Sequence, residues 1–319
     1  MNKALITGIT GFAGSYLAEH LLSTKRYSVS GTYLFSDSIR NVDTIKNKIN
    51  LLKVDLSNEK KVLDLIREVS PEVIFHLAAL ASPADSFKNP TQTLTSNIAL
   101  QINLLEGVRK NNLRNTKILI VSSGEIYGVV KKEDLPIDEE TPLRPTNPYS
   151  VSKIAQDFLG LTYFLSYGLK IIRVRPLNHI GPRQSPHFVV SSFAKQIAEI
   201  EKGKREPVLH VGNLDAQRDF TNVKDMVRAY LLALEKGDLG EVYNIGSGVA
   251  YKISDILNKL IAMSSSKITV EKEKNLFRPN DNPKLVFGSS KFVKLTGWKP
   301  RISIDETLKD TLDYWRNII

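Results

Sequence analysis

Residues 3–14 read KALITGITGFAG, an apolar run that breaks into glycines at 8, 11 and 14 and is followed by the amphipathic stretch SYLAEHLL. An apolar run ending in such a turn and reopening as a helix is a strand–turn–helix unit. Small residues let its backbone approach a pyrophosphate, while the first N–H groups of the helix supply donors and a favourable dipole. Glycines alone mark tight turns. The strand before them and the helix after them give the stretch a dinucleotide-binding reading, with Gly8, Thr10, Gly11, Phe12 and Gly14 as candidate cofactor contacts.

The same rhythm continues outward. YSVSGTY, LLKVD, EVIFHLA, KILIVSS and LKIIRV are short strand-like runs separated by helix-compatible stretches, with helices expected over 15–24, 90–111 and 148–166. That alternation predicts repeated strand–helix–strand units and a parallel sheet covered on both faces. After Arg173 the rhythm loosens into the loop RPLNHIGPRQSPH, a helix near 190–202 and a long segment with few clear strands, before EVYNIG near Glu241 looks like a strand rejoining the sheet. The expected fold is α/β: a Rossmann-type doubly wound parallel sheet with a smaller, interleaved C-terminal substrate lobe. The first lobe is expected over 1–176 with about 219–247, the second over 177–218 and 248–319.

Composition narrows the chemistry. The 319 residues are 42% hydrophobic and include no cysteine, which excludes disulfides, thiol nucleophiles and thiolate metal sites. The net charge of +10 favours anionic partners, but the lysines are scattered through segments such as KNKINLLK, so no nucleic acid partner is expected. No run approaches the roughly 18 apolar residues of a membrane helix, and no cleavage-type region follows the N-terminus. A cytoplasmic enzyme without a membrane partner is the expectation. His20, His76, His179, His187 and His210 show no ligand spacing, so no metal is expected.

Two short motifs carry candidate chemistry. In NPYSVSK, Asn147 can cap a helix beginning at Pro148, and Tyr149 and Lys153 then lie four apart on one face. A lysine ammonium near a phenol favours phenolate, so Tyr149 is expected to exchange a proton near neutral pH. VSSGEIYG, at 121–128, adds the hydroxyl of Ser123 and the carboxylate of Glu125. The acid that holds the ribose of NAD should follow the glycine turn by about 20 residues. Thr32 and Tyr33 stand there instead, and Arg40 is the nearest arginine, so neither NAD nor NADP is favoured.

TGITGFAG, VDL at 54–56, HLAALAS at 76–82, SSGEIYG and NPYSVSK together resemble the extended short-chain dehydrogenase/reductase family, over essentially the whole chain. The resemblance implies Tyr149 as acid/base, Lys153 as the group that tunes it and binds the nicotinamide ribose, and Ser123 as the polariser of a substrate carbonyl. It also implies NAD or NADP as cofactor, held further by Asp55, Leu56, Leu77, Ala78, Ala79 and Pro176. RPLNHIGPRQSPHFV, VGNLDAQRDFTNVKD and RPNDNP resemble the nucleotide-sugar branch that acts on GDP-linked hexoses. That likeness implies Asn178, Arg218, Arg278 and Asp281 at the sugar and diphosphate, with Ser82, Glu125 and Val190 alongside. It further implies a GDP-linked deoxyhexose substrate and a homodimer through the helices at 90–111 and 148–166. Leu177 and Arg183 depart from it, standing where an aromatic residue and a glycine are expected.

The expected reaction is reduction of a 4-keto-6-deoxyhexose carried on GDP. A 4,6-dehydratase is the alternative, because Glu125 persists while Gly124 replaces an acid that some dehydratases of the family use. A 4-epimerase, and then a non-catalytic cofactor- or RNA-binding protein, follow.

Overall fold

The computed structural model describes residues 1–277 and 282–319. Its first part runs β1 (Asn2–Thr7), α1 (Phe12–Ser23), β2 (Tyr27–Tyr33), β3 (Asn50–Lys53), α2 (Glu59–Val69), β4 (Val73–His76), α3 (Pro83–Lys88), α4 (Pro90–Lys110), β5 (Lys117–Val121), α5 (Pro148–Tyr167) and β6 (Lys170–Pro176). There follow β7 (Asn178–Ile180), α6 (Val189–Glu201), β8 (Val208–Val211), β9 (Gln217–Asn222), α7 (Val223–Lys236), β10 (Val242–Ile245) and β11 (Ala250–Lys252). The chain closes with α8 (Ile253–Ala262), β12 (Thr269–Lys272), β13 (Lys284–Leu285), α9 (Ser290–Thr296) and α10 (Ile304–Ile318).

Seven strands form the main sheet in the order β10-β6-β5-β4-β1-β2-β3, every pair parallel. Chain order reverses between β1 and β4, so a crevice for a ligand opens at their carboxyl ends. One face of the sheet is covered by α1 and α7 around Leu17, Leu21, Phe75, Val227 and Tyr230; the other is covered by α2 and α4 around Leu65, Ile66, Leu104 and Ile118. Burial on both faces accounts for the nearly continuous apolar runs of these strands.

Local chemistry sets the helices that matter for the site. Asn147 Oδ1 accepts the Ser150 N–H at 2.8 Å, Pro148 occupies the first turn, and Gly168 ends α5 in the left-handed region at φ 67°. Helix α1 begins at Phe12, ahead of the expected 15, because extended Gly11 serves as its N-cap. Gly14 can therefore sit in the first turn, where a Cβ would stand 2.2 Å from the Gly8 carbonyl oxygen.

The smaller lobe joins β7, β9, β11 and β13 in one sheet and β8 with β12 in another, packed by α6, α8 and α10 around Phe193, Ile197, Leu257 and Leu312. Two boundaries differ from expectation. Residues 219–222 pair into this smaller sheet, so the chain returns to the large lobe at Val223. Phe292 and Trp298, expected in the smaller lobe, pack instead into the core of the large one. Among the described residues no helix is long and apolar enough to cross a membrane.

Candidate active site

The glycine turn is fastened to its neighbours on both sides. Parallel register sets Thr7 opposite Thr32 of β2 and His76 of β4. Gly8 turns at φ 71°, its N–H donating to Thr32 Oγ1 at 3.3 Å, and a Cβ there would lie 3.1 Å from the Ala78 Cα. Thr7 Oγ1 accepts the N–H groups of Leu77 and Ala78, each at 3.1 Å, and lies 2.9 Å from His76 Nδ1. With its lone pairs so occupied, the Thr7 hydroxyl gives its proton to Nδ1, which assigns His76 the Nε2–H tautomer. Burial, then the Lys153 charge, drives the imidazole down to about 3, so it stays neutral. Thr7, itself held by His76, thus fixes Leu77 and Ala78 against the turn, a role that sequence reading missed.

These residues fit a dinucleotide: position 14 has no room for a side chain, position 8 turns through the left-handed region against Ala78, and the first N–H groups of α1 open at the sheet's reversal point. Gly8, Gly11 and the α1 N-terminus would hold the diphosphate of a nicotinamide cofactor, which supplies a hydride when bound. Asp55 follows β3, and its Oδ1 accepts from Ser57 N at 2.9 Å and Ser57 Oγ at 2.7 Å, which holds the carboxyl below its usual range. Leu56 behind it is buried in the core, and Pro176 is buried at the end of β6.

Ser123, Tyr149 and Lys153 meet where β5 ends and α5 begins. The Tyr149 hydroxyl is hydrogen-bonded with Ser123, whose Oγ also accepts the Glu125 N–H at 3.2 Å. Lys153 Nζ donates to the Val121 carbonyl at 2.9 Å and stands 6.0 Å from the Tyr149 ring centroid. Burial lowers this lysine to about 8. Burial pushes Tyr149 up to about 12, with the Ser123 hydrogen bond opposing and the Glu125 charge assisting. The expected phenolate is therefore corrected: desolvation, assisted by the Glu125 charge, outweighs the Ser123 hydrogen bond, and Tyr149 rests as a phenol able to donate a proton.

The substrate-side residues separate on inspection. Asn178 Nδ2 donates to the Asp219 carbonyl at 3.4 Å, and buried Arg218 sends Nη1 to the carbonyls of Gln217 at 2.8 Å and Asn282 at 2.7 Å. Asp219 is a hub, its carboxylate accepting from Ser247 and Gly248 and so tying β9 to the loop after β10. Ser82 caps α3, accepting the Asp85 N–H at 3.2 Å. Val190 is a correction: its side chain is fully enclosed in the smaller lobe's core and presents no surface, whereas Val189 beside it is exposed. Arg278 and Asp281 lie outside the described residues.

A depression of about 300 Å³ on the smaller lobe is lined by Pro186, Ser192, Lys195, Arg205, His210 and Glu273, among others. A wider cleft of about 690 Å³ opens at the amino ends of β1, β4 and β5, beside Arg26, Glu72, Arg114 and Glu235. It lies at the opposite end of the sheet from Ser123 and Tyr149 and takes no part in their chemistry.

The family model for GDP-mannose 4,6 dehydratase matches residues 5–311. The chain belongs to that family. A GDP-6-deoxy-D-mannose reductase of Pseudomonas aeruginosa is 31% identical over 315 residues, covering 99% of this chain and 97% of the relative. A GDP-mannose 4,6-dehydratase of Vibrio cholerae is also 31% identical, covering 95% of this chain and 91% of the relative. The solved structure of RMD from Pseudomonas aeruginosa complexed with NADPH superimposes with a TM-score of 0.88 at 30% identity, covering 100% of both chains. A Thermus thermophilus UDP-glucose 4-epimerase in complex with NAD reaches 0.87 at 30% identity, covering 99% of this chain and 100% of the other. The chain is accordingly an NAD(P)-dependent enzyme of the extended short-chain dehydrogenase/reductase family, as its motifs implied.

Proposed function

We propose that this enzyme reduces the 4-keto group of GDP-4-keto-6-deoxy-D-mannose to GDP-6-deoxy-D-mannose (GDP-D-rhamnose), in the cytoplasm, using NADPH or NADH. The observation that carries the reading is the crowding at Gly124. A Cβ there would stand 2.5 Å from Leu177 Cδ2 and 2.8 Å from Phe287 Cζ, so the acid that some dehydratases pair with the glutamate would fit only if these two buried side chains moved aside. Leu177, which departs from the branch pattern, is one of the atoms that close it.

The resting protonation state supports reduction as well. When hydride adds to the carbonyl carbon, the C=O electron pair moves to oxygen and that oxygen takes the Tyr149 proton, while the Ser123 hydroxyl hydrogen-bonds to the developing alkoxide. Lys153 stabilises the phenolate left behind. Arg218, one nitrogen of its guanidinium anchored to Asn282, is assigned to the diphosphate, with Arg278 and Asp281 beyond it. The nucleotide end is assigned to the depression beside Ser192 and Lys195.

A GDP-mannose 4,6-dehydratase is the second reading, favoured by one observation: Glu125 follows Ser123 by two residues and its N–H donates to Ser123 Oγ at 3.2 Å, which keeps a carboxylate beside the reacting hydroxyls. A product assay separates the two. The reductase consumes one reduced nicotinamide per keto sugar, and turnover of GDP-mannose to the keto sugar without added NAD(P)H overturns it. Changing Glu125 to Gln is expected to leave keto-sugar reduction within about threefold of the parent, because burial is the larger influence on Tyr149; a loss of two orders of magnitude makes the glutamate essential.

We also propose a homodimer through α4 and α5. Val151, Phe158 and Leu165 are exposed on α5 at intervals of seven residues, one apolar stripe of a helix whose inward face, with Tyr149, Lys153, Gln156, Gly160 and Tyr163, is already packed. Light scattering should give the mass of two chains, and Phe158→Glu the mass of one; a parent protein that is monomeric at micromolar concentration rules the pairing out.

A further inference from the structure

Four described residues other than glycine have a left-handed backbone: Lys25, Ser70, Asn112 and Arg183. The first three close or immediately follow α1, α2 and α4, where this conformation is an ordinary terminator. Arg183, at φ 70°, ends no helix. It sits in the turn closed by Gln184 N–H donating to the Gly181 carbonyl at 3.4 Å, a place where glycine would be free of steric cost.

Its side chain explains the exception. Arg183 Nη2 lies 2.7 Å from the Glu19 carboxylate, Nη1 donates to Ser15 Oγ at 3.3 Å, and the guanidinium carbon stands 4.6 Å from the centroid of the Tyr16 ring. All three partners are on α1. On the other side of Gly181, His179 stacks on Phe12, the first residue of α1, with centroids 5.7 Å apart and planes 9° from parallel. The segment 178–184, which begins with Asn178, is thus stapled at two points to the helix that opens the glycine cradle.

We propose that Arg183 is a positioning residue that couples the two ligand sites, so that a ligand on the sugar-nucleotide side strengthens binding of the nicotinamide cofactor and the reverse. A ligand that orders the segment at Asn178 also orders α1 through the ion pair, the ring contact and the stack. The helix then presents its N–H groups to the diphosphate without a further ordering cost. This rests on the assignment of the sugar diphosphate to the side of Asn178 and Arg218.

The test is a titration of NADPH with and without saturating GDP, followed by nicotinamide fluorescence, on the whole chain and on two variants. Arg183→Gly removes the side chain and the backbone strain together, so folding is kept, and an unchanged or higher thermal midpoint verifies that. Glu19→Gln removes the ion pair alone. GDP is expected to tighten NADPH binding about fivefold or more in the parent. In Arg183→Gly that tightening should disappear while NADPH alone binds within about twofold of the parent, and Glu19→Gln should fall between. Undiminished tightening in Arg183→Gly overturns the coupling, as does an equal loss of NADPH affinity with and without GDP. Failure of GDP to bind the parent overturns the substrate assignment as well.

Discussion

Replacing Tyr149 by Phe should lower kcat for keto-sugar reduction about a thousandfold, within the range expected for removal of a positioned general acid, while NADPH and GDP still bind. The phenol is buried, hydrogen-bonded to Ser123, and held up to about 12 chiefly by desolvation. At neutral pH it therefore carries the proton that the new alcohol needs, and Phe keeps the ring's packing without that proton. Lys153 supplies the pH dependence. Its ammonium, lowered to about 8 by burial, is present below that pH and lost above it. With the charge gone, the phenolate formed as Tyr149 gives up its proton has no counter-ion. kcat is therefore expected to be level through neutrality and to fall as pH rises past about 8. A Tyr149→Phe enzyme retaining a tenth of parental kcat would remove Tyr149 from the acid's role, and activity undiminished well above the lysine's titration would remove the Lys153 ammonium from its own.

The parts of this site legible in the sequence are those that local chemistry determines. Glycines at 8, 11 and 14 between a strand and a helix leave few other geometries open, and the Asn147–Pro148 start of α5 puts Tyr149 and Lys153 on one face by helical spacing alone. What spacing could not give was the depth of burial that raises Tyr149 and lowers Lys153, which depends on how deeply α5 packs against β5. The smaller lobe was harder for another reason. Its strands are short and pair across long separations, as Gln217 does with Lys284, so no alternating run of useful length announces them. Val190 and Val189 illustrate the same limit, since adjacent valines at a helix start do not reveal which one faces the core.

One signal was present and went unread. Asp157 lies one helical turn beyond Lys153, on the inward face of α5, and Arg173 and Arg175 alternate on one side of a strand that is otherwise apolar. Three charges on faces that must be buried imply one another. In the structure Arg173 Nη1 meets Asp157 Oδ1 at 2.5 Å and Arg175 Nε meets Oδ2 at 2.8 Å, with the aspartate side chain wholly inaccessible. Arg175 Nη1 continues to the Tyr127 hydroxyl at 2.9 Å, and Tyr127 donates to Asn244 Oδ1 at 2.8 Å, so the network joins α5 to β6, the turn after β5, and β10.

Asp157→Ala leaves two guanidinium groups buried without their anion, and removing one partner from such a pair costs about 3–5 kcal/mol. The expected result is a lower urea midpoint with an unchanged slope, since the loss lies in stability rather than in the surface exposed on unfolding. The network itself need not be net stabilising, because desolvating three charges offsets much of their attraction. A combined Asp157→Leu, Arg173→Met, Arg175→Met variant should therefore recover most of what Asp157→Ala loses. Its kcat should nevertheless stay below the parent's, because the charged network also fixes the height of α5 against β6 and the turn after β5, and with it the distance from Tyr149 to Ser123. An Asp157→Ala protein within about 1 kcal/mol of the parent would mean that water or a shifted side chain satisfies the arginines. Full activity in the triple variant would mean that apolar packing alone sets the catalytic pair.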